Sequence, residues 1–208
     1  MSNNDYVWYA SYGSNINKDR FLCYIHGGNP KWSTKVEKGC RDKTLPLSEK
    51  SFIIHHQLYF SKEAAQWNGG GVCFIGLDFN KSVETYSYMY LIKREQFLDV
   101  VSQENNIDHI QLNLKEVIEN GAKTYRDTWY GNILYLGEVD NFPVFTFTSN
   151  DEFNRMSVRK PSIEYLRTIC VGLKREIGLT DEQIIDYFIR IPGIVDEYTR
   201  EDIKQILD

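Results

Sequence analysis

Val7-Trp8-Tyr9-Ala10-Ser11-Tyr12-Gly13-Ser14-Asn15 is the stretch on which the reading of this chain turns. Its first five residues form a short apolar run rich in strand-forming side chains. Tyr12-Gly13-Ser14-Asn15 follows as a tight glycine turn, and Lys18 to Ile25 carries the spacing of an amphipathic helix. Strand, turn and helix in that order aim backbone N–H groups into one small concavity at a helix start. Unpaired donors and the helix dipole favour a carboxylate or a phosphate there. Gly13 lets the backbone come close to such a group, and Ser14 and Asn15 add polar side chains. The same residues also read as a plain strand–helix connection with Ser or Asn as the N-cap.

The bulk properties bound the partners. A chain of 208 residues with 42% hydrophobic and 25% charged residues fits one globular domain, 1–208, with C-terminal helices over 161–208 packed on it. Its 14 Tyr, 11 Phe and 4 Trp favour half-buried sheet or barrel surfaces. A net charge of −5 argues against nonspecific nucleic-acid binding, which needs a basic footprint. Cys23, Cys40, Cys73 and Cys170 are far apart, which leaves no zinc-ligand spacing among them. Met1 to Asp5 is polar, without the basic and apolar regions of a secretion signal, and no apolar run approaches the roughly 20 residues that span a bilayer. The expectation is a cytoplasmic protein, with reduced thiols, that has no membrane partner.

Between His26 and Lys50 the sequence is rich in Gly, Lys, Ser and Pro, and little regular structure is expected; the segment either walls a pocket or is a surface insertion. Phe52 to Phe60 reads as one strand. Its His55-His56 pair invites a metal reading, but neighbours on a strand face opposite ways. Trp67 to Gly71 reads as a turn where backbones approach closely, entering a strand at Val72. Thr85 to Ile92 reads as a strand with Tyr86, Tyr88 and Tyr90 on one face, either in the core or lining a polar cavity.

Lys93 to Glu104 has helical spacing that puts Phe97, Val101 and Glu104 on one face. A carboxylate extending an apolar face suits proton transfer near neutral pH. The alternative is a solvated Glu at a fraying helix end, since Asn105-Asn106 follows. Further on, Leu112 to Asn120 reads as a helix stopped by Gly121, and Ile133–Val139 and Val144–Thr148 as paired strands. Lys160-Pro161-Ser162 is expected to start a helix with Pro in its first turn. Ile163, Leu166, Cys170, Leu173 and Ile177 form its apolar stripe. Thr180 and Gln183 read as a capping box for a helix over 181–190, and Thr199 as the cap of the last one.

Three ordered segments resemble the γ-glutamylcyclotransferase-like family. They are the Tyr12-Gly13-Ser14-Asn15 turn after a strand, the strand–helix unit ending Leu98-Asp99-Val100-Val101-Ser102-Gln103-Glu104, and Pro161-Ser162-Ile163-Glu164-Tyr165-Leu166 through Gly172 to Glu176-Ile177-Gly178-Leu179. The middle segment departs by one residue in spacing and by Asn105 where the family often has Gly. Residues 26–50 and 105–140 match little. The resemblance implies an α+β fold, a small mixed β-barrel with flanking helices around one polar cavity. It implies an enzyme of the lyase/transferase type that needs no cofactor and no metal. Tyr12, Gly13, Ser14, Asn15 and Ile16 would bind the substrate and Glu104 would be the catalytic acid/base. The products would be 5-oxoproline and a free amine or amino acid. The partner implied is a small γ-glutamyl molecule, and the protein would act as a monomer or homodimer. The glutathione-directed branch carries Leu at the position of Asn15, so γ-glutamyl amino acids or γ-glutamylamines are the expected substrates. Three alternatives accompany this reading: a non-catalytic carboxylate- or small-molecule-binding module of the same fold, a hydrolase of γ-glutamyl or acyl amides, and a structural or interaction protein with a tyrosine-rich surface. Tyr12 and Tyr88 are further candidates to contact substrate.

Overall fold

β1 (Tyr6–Ser11) runs through the middle of a six-stranded sheet. The computed structural model describes residues 5–151 and 157–208; the polar residues Met1 to Asn4 lie outside them. β5 (Thr85–Lys93) pairs antiparallel with β1 from Tyr6↔Lys93 to Ser11↔Tyr88, and β8 (Phe142–Thr148) pairs parallel to it at Trp8↔Val144 and Tyr9↔Phe145. Val7 to Ser11 are all buried, which is why this strand reads as a continuous apolar run and not as an alternation. β2 (Ser48–Ile54) lies beyond β5; β7 (Asn132–Val139) and the short β6 (Ala122–Thr124) lie beyond β8. β6 carries too few residues for a visible alternation and was not expected.

The single strand expected over Phe52 to Phe60 is two. The chain turns at His55, and β3 (His56–Ala64) leaves the sheet to pair with β4 (Gly70–Phe79) as a separate ribbon. Both halves are apolar enough to hide the corner. The corner is held by Asn80 N–H donating to His55 O at 2.8 Å and by Thr85 Oγ1 donating to His56 O at 2.7 Å. The two histidine rings are occupied separately, His55 Nδ1 2.7 Å from Val83 O and His56 Nδ1 2.8 Å from Gly76 O. The expected barrel is thus a six-stranded sheet and a two-stranded ribbon, with no closed ladder among the described residues. Thr148 bridges the gap with its hydroxyl, accepting from Ile75 N at 3.2 Å and donating to Ile75 O at 2.9 Å.

Helices cover this framework. α1 (Lys18–His26) is capped by Asn17, whose side chain accepts from Arg20 N–H; neither Ser14 nor Asn15 is the cap. α2 (Arg94–Glu104) follows β5 directly, and α3 (Leu114–Asn120) ends at Gly121, which has φ +77° as a helix stop requires. α4 (Ile163–Gly172) begins one residue after Ser162, its N-cap, so Pro161 stands outside the first turn. Leu166, Cys170 and Leu173 of the expected stripe are buried, joined by Tyr165 and Ile169, while Ile163 is 48% exposed. The helix then widens into a π turn over Leu173–Ile177, with Leu173 buried and Ile177 half-buried against the core, before Gly178 ends it. α5 (Asp181–Phe188) has the expected Thr180–Gln183 capping box, and Thr199 caps α6 (Arg200–Leu207). One contiguous apolar core runs from Val7 to Ile206. No helix of the described residues is long and apolar enough to cross a membrane.

Two glycine positions fix how these layers meet. A Cβ on Gly172 would sit 2.6 Å from Asn17 N and 2.8 Å from Ile16 C, so α4 rests directly on the turn after β1. Cβ atoms on Gly70 and Gly71 would each come within 2.3 Å of backbone atoms, Ser162 N and Arg159 O respectively, the close approach expected of that glycine run. Gly172→Ala must push α4 off the turn, and overpacking of this kind costs about 1–3 kcal/mol. The expected result is a melting temperature lowered by roughly 2–4 °C per kcal/mol. An unchanged melt would show that the contact has slack.

Candidate active site

Beyond Ser11 the chain makes one turn of 3-10 helix, Ser14–Ile16, before entering α1. Ile16 N–H donates to Gly13 O at 3.0 Å and Asn17 N–H to Ser14 O at 3.2 Å. The amides of Ser14 and Asn15 precede the first of these bonds and have no acceptor within the turn. The turn forms one wall of a cleft of about 230 Å³, lined also by the end of α2, by 63–67, and by Tyr130 and Tyr165.

Tyr12, Gly13, Ser14, Asn15 and Glu104 all line this cleft. Glu104 is half-buried, and its Oε1 accepts from Asn15 Nδ2 at 3.1 Å. The helix end that carries it is therefore turned toward the glycine turn and not frayed into solvent. Asn15 is buried; its Nδ2 also donates to Tyr9 Oη at 3.3 Å, and its backbone carbonyl accepts from Tyr90 Oη at 2.9 Å. Asn15 Oδ1 has no hydrogen-bond partner among the described residues. The Tyr12 hydroxyl is committed to Phe147 O at 2.7 Å.

Some expected residues take other places. Ile16 does not line the cleft; its amide is used inside the turn and its side chain lies under Gly172. Tyr88 is not in the lining either; Tyr90, its neighbour on the same face, supports the turn from behind. Asn105 has φ −98°, open to any residue, while the left-handed position is Asn106 at φ +52°. The family's glycine requirement, if transferred to Asn105, is off by one residue.

Arg20 and Lys35 line the cleft and were not anticipated. Arg20 shares the buried face of α1 with Phe21 and Tyr24; a charged residue on that apolar stripe is the signal that marks it. Its Nε donates to Ser14 Oγ at 2.8 Å and its Nη2 to Tyr24 Oη at 3.2 Å. Lys35 comes from the irregular segment 26–50, which does wall the pocket. Its Nζ lies 3.1 Å from Glu37 Oε2, and Glu37 Oε1 lies 3.8 Å from Arg20 Nη2. Burial holds Glu37 above the usual carboxylate range, against the pull of Lys35. Burial, and after it the charge of Glu104, keep the Tyr24 hydroxyl well above its ordinary value. Cys73, also in the lining, is pushed up to about 12 by burial and so is a neutral thiol at neutral pH. Among the described residues no group of three or more His, Cys, Asp or Glu is placed to hold a metal.

No family model matches the sequence. A solved structure described as "Gamma-glutamyl cyclotransferase" superposes with a TM-score of 0.53 at 15% identity, covering 98% of each chain. The fold is that of γ-glutamyl cyclotransferase. An uncharacterised human protein of known structure is similar over 98% of each chain at 17% identity, with a TM-score of 0.48. In sequence, the chain is 34% identical over 197 residues to "Histone deacetylase 5" of Arabidopsis thaliana. The match takes in 87% of this chain, which spans about 30% of that protein's length.

The buried carboxyl of Glu37 makes a pH prediction. Its folded-state value is raised, so the folded protein holds this proton more tightly than the unfolded chain. The stability due to Glu37 is then full at acid pH and falls as pH rises through the window just above the ordinary carboxylate value. Glu37→Gln removes that slope. The melting temperature of the variant relative to wild type is expected to rise with pH across that window. The opposite slope would show that the pairs with Lys35 and Arg20 outweigh burial.

Proposed function

We propose that this protein is a γ-glutamylcyclotransferase-type enzyme, releasing 5-oxoproline and a free amine or amino acid from a γ-glutamyl substrate. The observation that supports it most is the 3.1 Å contact between Glu104 and Asn15, which holds a carboxylate against the glycine turn inside a small cleft. In this reading the amides of Ser14 and Asn15 take the α-carboxylate of the glutamyl group, with Gly13 allowing the close approach. Glu104 faces the α-ammonium and removes a proton from it. The partnerless Asn15 Oδ1 accepts a second of its hydrogens. The freed amine attacks the γ-carbonyl carbon of the same residue, a five-membered lactam closes, and the bond to the leaving nitrogen breaks. Glu104 returns its proton to that nitrogen.

Nucleophile and electrophile belong to one molecule, so holding the glutamyl chain curled supplies much of the rate. Tyr12, Tyr130 and Tyr165 contribute shape: their hydroxyls are engaged with Phe147 O, Cys73 O and Cys73 N. The protein is expected to act on small molecules as a cytoplasmic monomer or homodimer.

The test is an assay for 5-oxoproline on γ-glutamyl dipeptides, γ-glutamylamines and glutathione, with Glu104→Gln beside wild type. The expected outcome is 5-oxoproline from at least one substrate and a loss of about 10²-fold or more in the variant, the scale of general acid–base catalysis. Free glutamate in place of 5-oxoproline would make it a hydrolase. Binding of γ-glutamyl compounds without either product would make it a binding module.

A further inference from the structure

Arg20 is 4% exposed and its guanidinium is only partly satisfied. Nε and Nη2 are engaged with Ser14 Oγ and Tyr24 Oη. Nη1 is shielded from water and has no acceptor among the described residues. The guanidinium carbon lies 5.2 Å from the centroid of the Trp67 ring and 5.5 Å from that of Tyr24, so aromatic faces fix its plane. Among the described residues the one carboxylate paired with it is Glu37, at 3.8 Å, while the other oxygen of Glu37 is 3.1 Å from Lys35 Nζ. An arginine cannot shed its charge, and a buried charged donor without an acceptor is costly unless a ligand completes it. Its planar fork matches a carboxylate.

The charges of the cleft say which carboxylate. In the reading above, the turn amides take the α-carboxylate of the glutamyl group and Glu104 faces its ammonium. Of the other charged groups, Glu63 lines the cleft but is paired with Arg159 at 3.1 Å, and Arg20 and Lys35 face the single charge of Glu37 behind the lining, an excess of one positive charge around Arg20. A γ-glutamyl amino acid brings one more carboxylate, on its leaving half; a γ-glutamylamine brings none. We propose that Arg20, assisted by Lys35, is a specificity-determining residue that anchors a carboxylate on the leaving group. This rests on the γ-glutamyl reading.

The test uses γ-glutamylalanine and γ-glutamylethylamine, which differ only by that carboxylate, against wild type, Arg20→Gln and Arg20→Lys, each first checked for a cooperative melt. The readout is the ratio of kcat/KM for the two substrates. Wild type is expected to favour γ-glutamylalanine by roughly tenfold to hundredfold, the range of a charge-assisted hydrogen bond. In Arg20→Gln the ratio should collapse toward one, and Arg20→Lys should keep part of it. A wild-type ratio near one, or a ratio that Arg20→Gln leaves unchanged, overturns the proposal; the second result would assign Arg20 to the α-carboxylate or to holding the turn. Should the Gln variant not fold, Arg20→Lys and Lys35→Met decide in its place, each by a lowered ratio. If wild type forms no 5-oxoproline at all, the cyclotransferase reading fails, and calorimetric titration with the same two compounds still decides about Arg20. Preferential binding of γ-glutamylalanine that disappears in the variant upholds the anchor. Equal binding, or none, overturns it.

Discussion

The turn at Ser14–Ile16 is clamped from two sides, and the cleft depends on that clamp. From the sheet, the Tyr90 hydroxyl reaches the carbonyl of Asn15 at 2.9 Å. From the helical layer, α4 brings its backbone against Ile16 and Asn17 at Gly172, where even a methyl group has no room. A free turn of this length would interconvert among several conformations. Here its carbonyl side is fixed by a buried phenol and its underside by a helix. The amides of Ser14 and Asn15, which have no acceptor within the turn, and the Asn15 side chain are held in one arrangement. Preorganisation of this kind sets the geometry before any ligand arrives and lowers the ordering cost of binding one.

Burying Arg20 behind that turn is costly. Moving a guanidinium out of water is unfavourable by several kcal/mol before compensation. Ser14, Tyr24 and the two aromatic faces recover part of this, and Glu37 recovers more at the expense of its own burial. Ser14 is consequently a support for Arg20 as much as a wall of the cleft. A site that only needed to close a strand–helix connection would be more stable with an apolar residue at position 20.

The elements that local pattern specifies were legible in the sequence: β1, the glycine turn, α1, α2 with Glu104 on the face of Phe97, and the capping boxes of the last helices. What escaped is what long-range contacts decide. The corner at His55 has no breaker residue and is made by Asn80 and Thr85, far along the chain. The π turn that ends the α4 helix at Leu173–Ile177 is announced by no local spacing. Ile16 and Tyr88 neighbour residues that line the cleft or support its turn, yet tertiary packing sends both elsewhere. Arg20 is a charged member of an otherwise apolar helix face, and amphipathic spacing alone does not distinguish it from the solvated residues of α1.

The segment between α1 and β2 carries the last step of this logic. It has almost no regular structure, yet its backbone is not left to solvent. α2 supplies the missing partners from side chains: Gln96 Nε2 donates to Asp42 O and Thr44 O at 3.1 and 2.7 Å, Gln103 Oε1 accepts from Gly39 N–H at 2.9 Å, and Asp99 takes both the amide and the guanidinium of Arg41. Asp42 pairs in turn with Lys93 at the start of the helix. Gln96, Asp99 and Gln103 are buried by this arrangement, so the polar face of α2 replaces the ladder that a strand would have used. The same helix thus does two things. At its C-terminal end it presents Glu104 to the cleft, and along its side it fixes the segment that delivers Lys35 to the lining, where Lys35 Nζ donates to Gln103 O at 3.1 Å and pairs with Glu37 behind it. The acid/base candidate and the charged wall share one rigid support, so their separation is set by helix geometry and not by the length or flexibility of a loop.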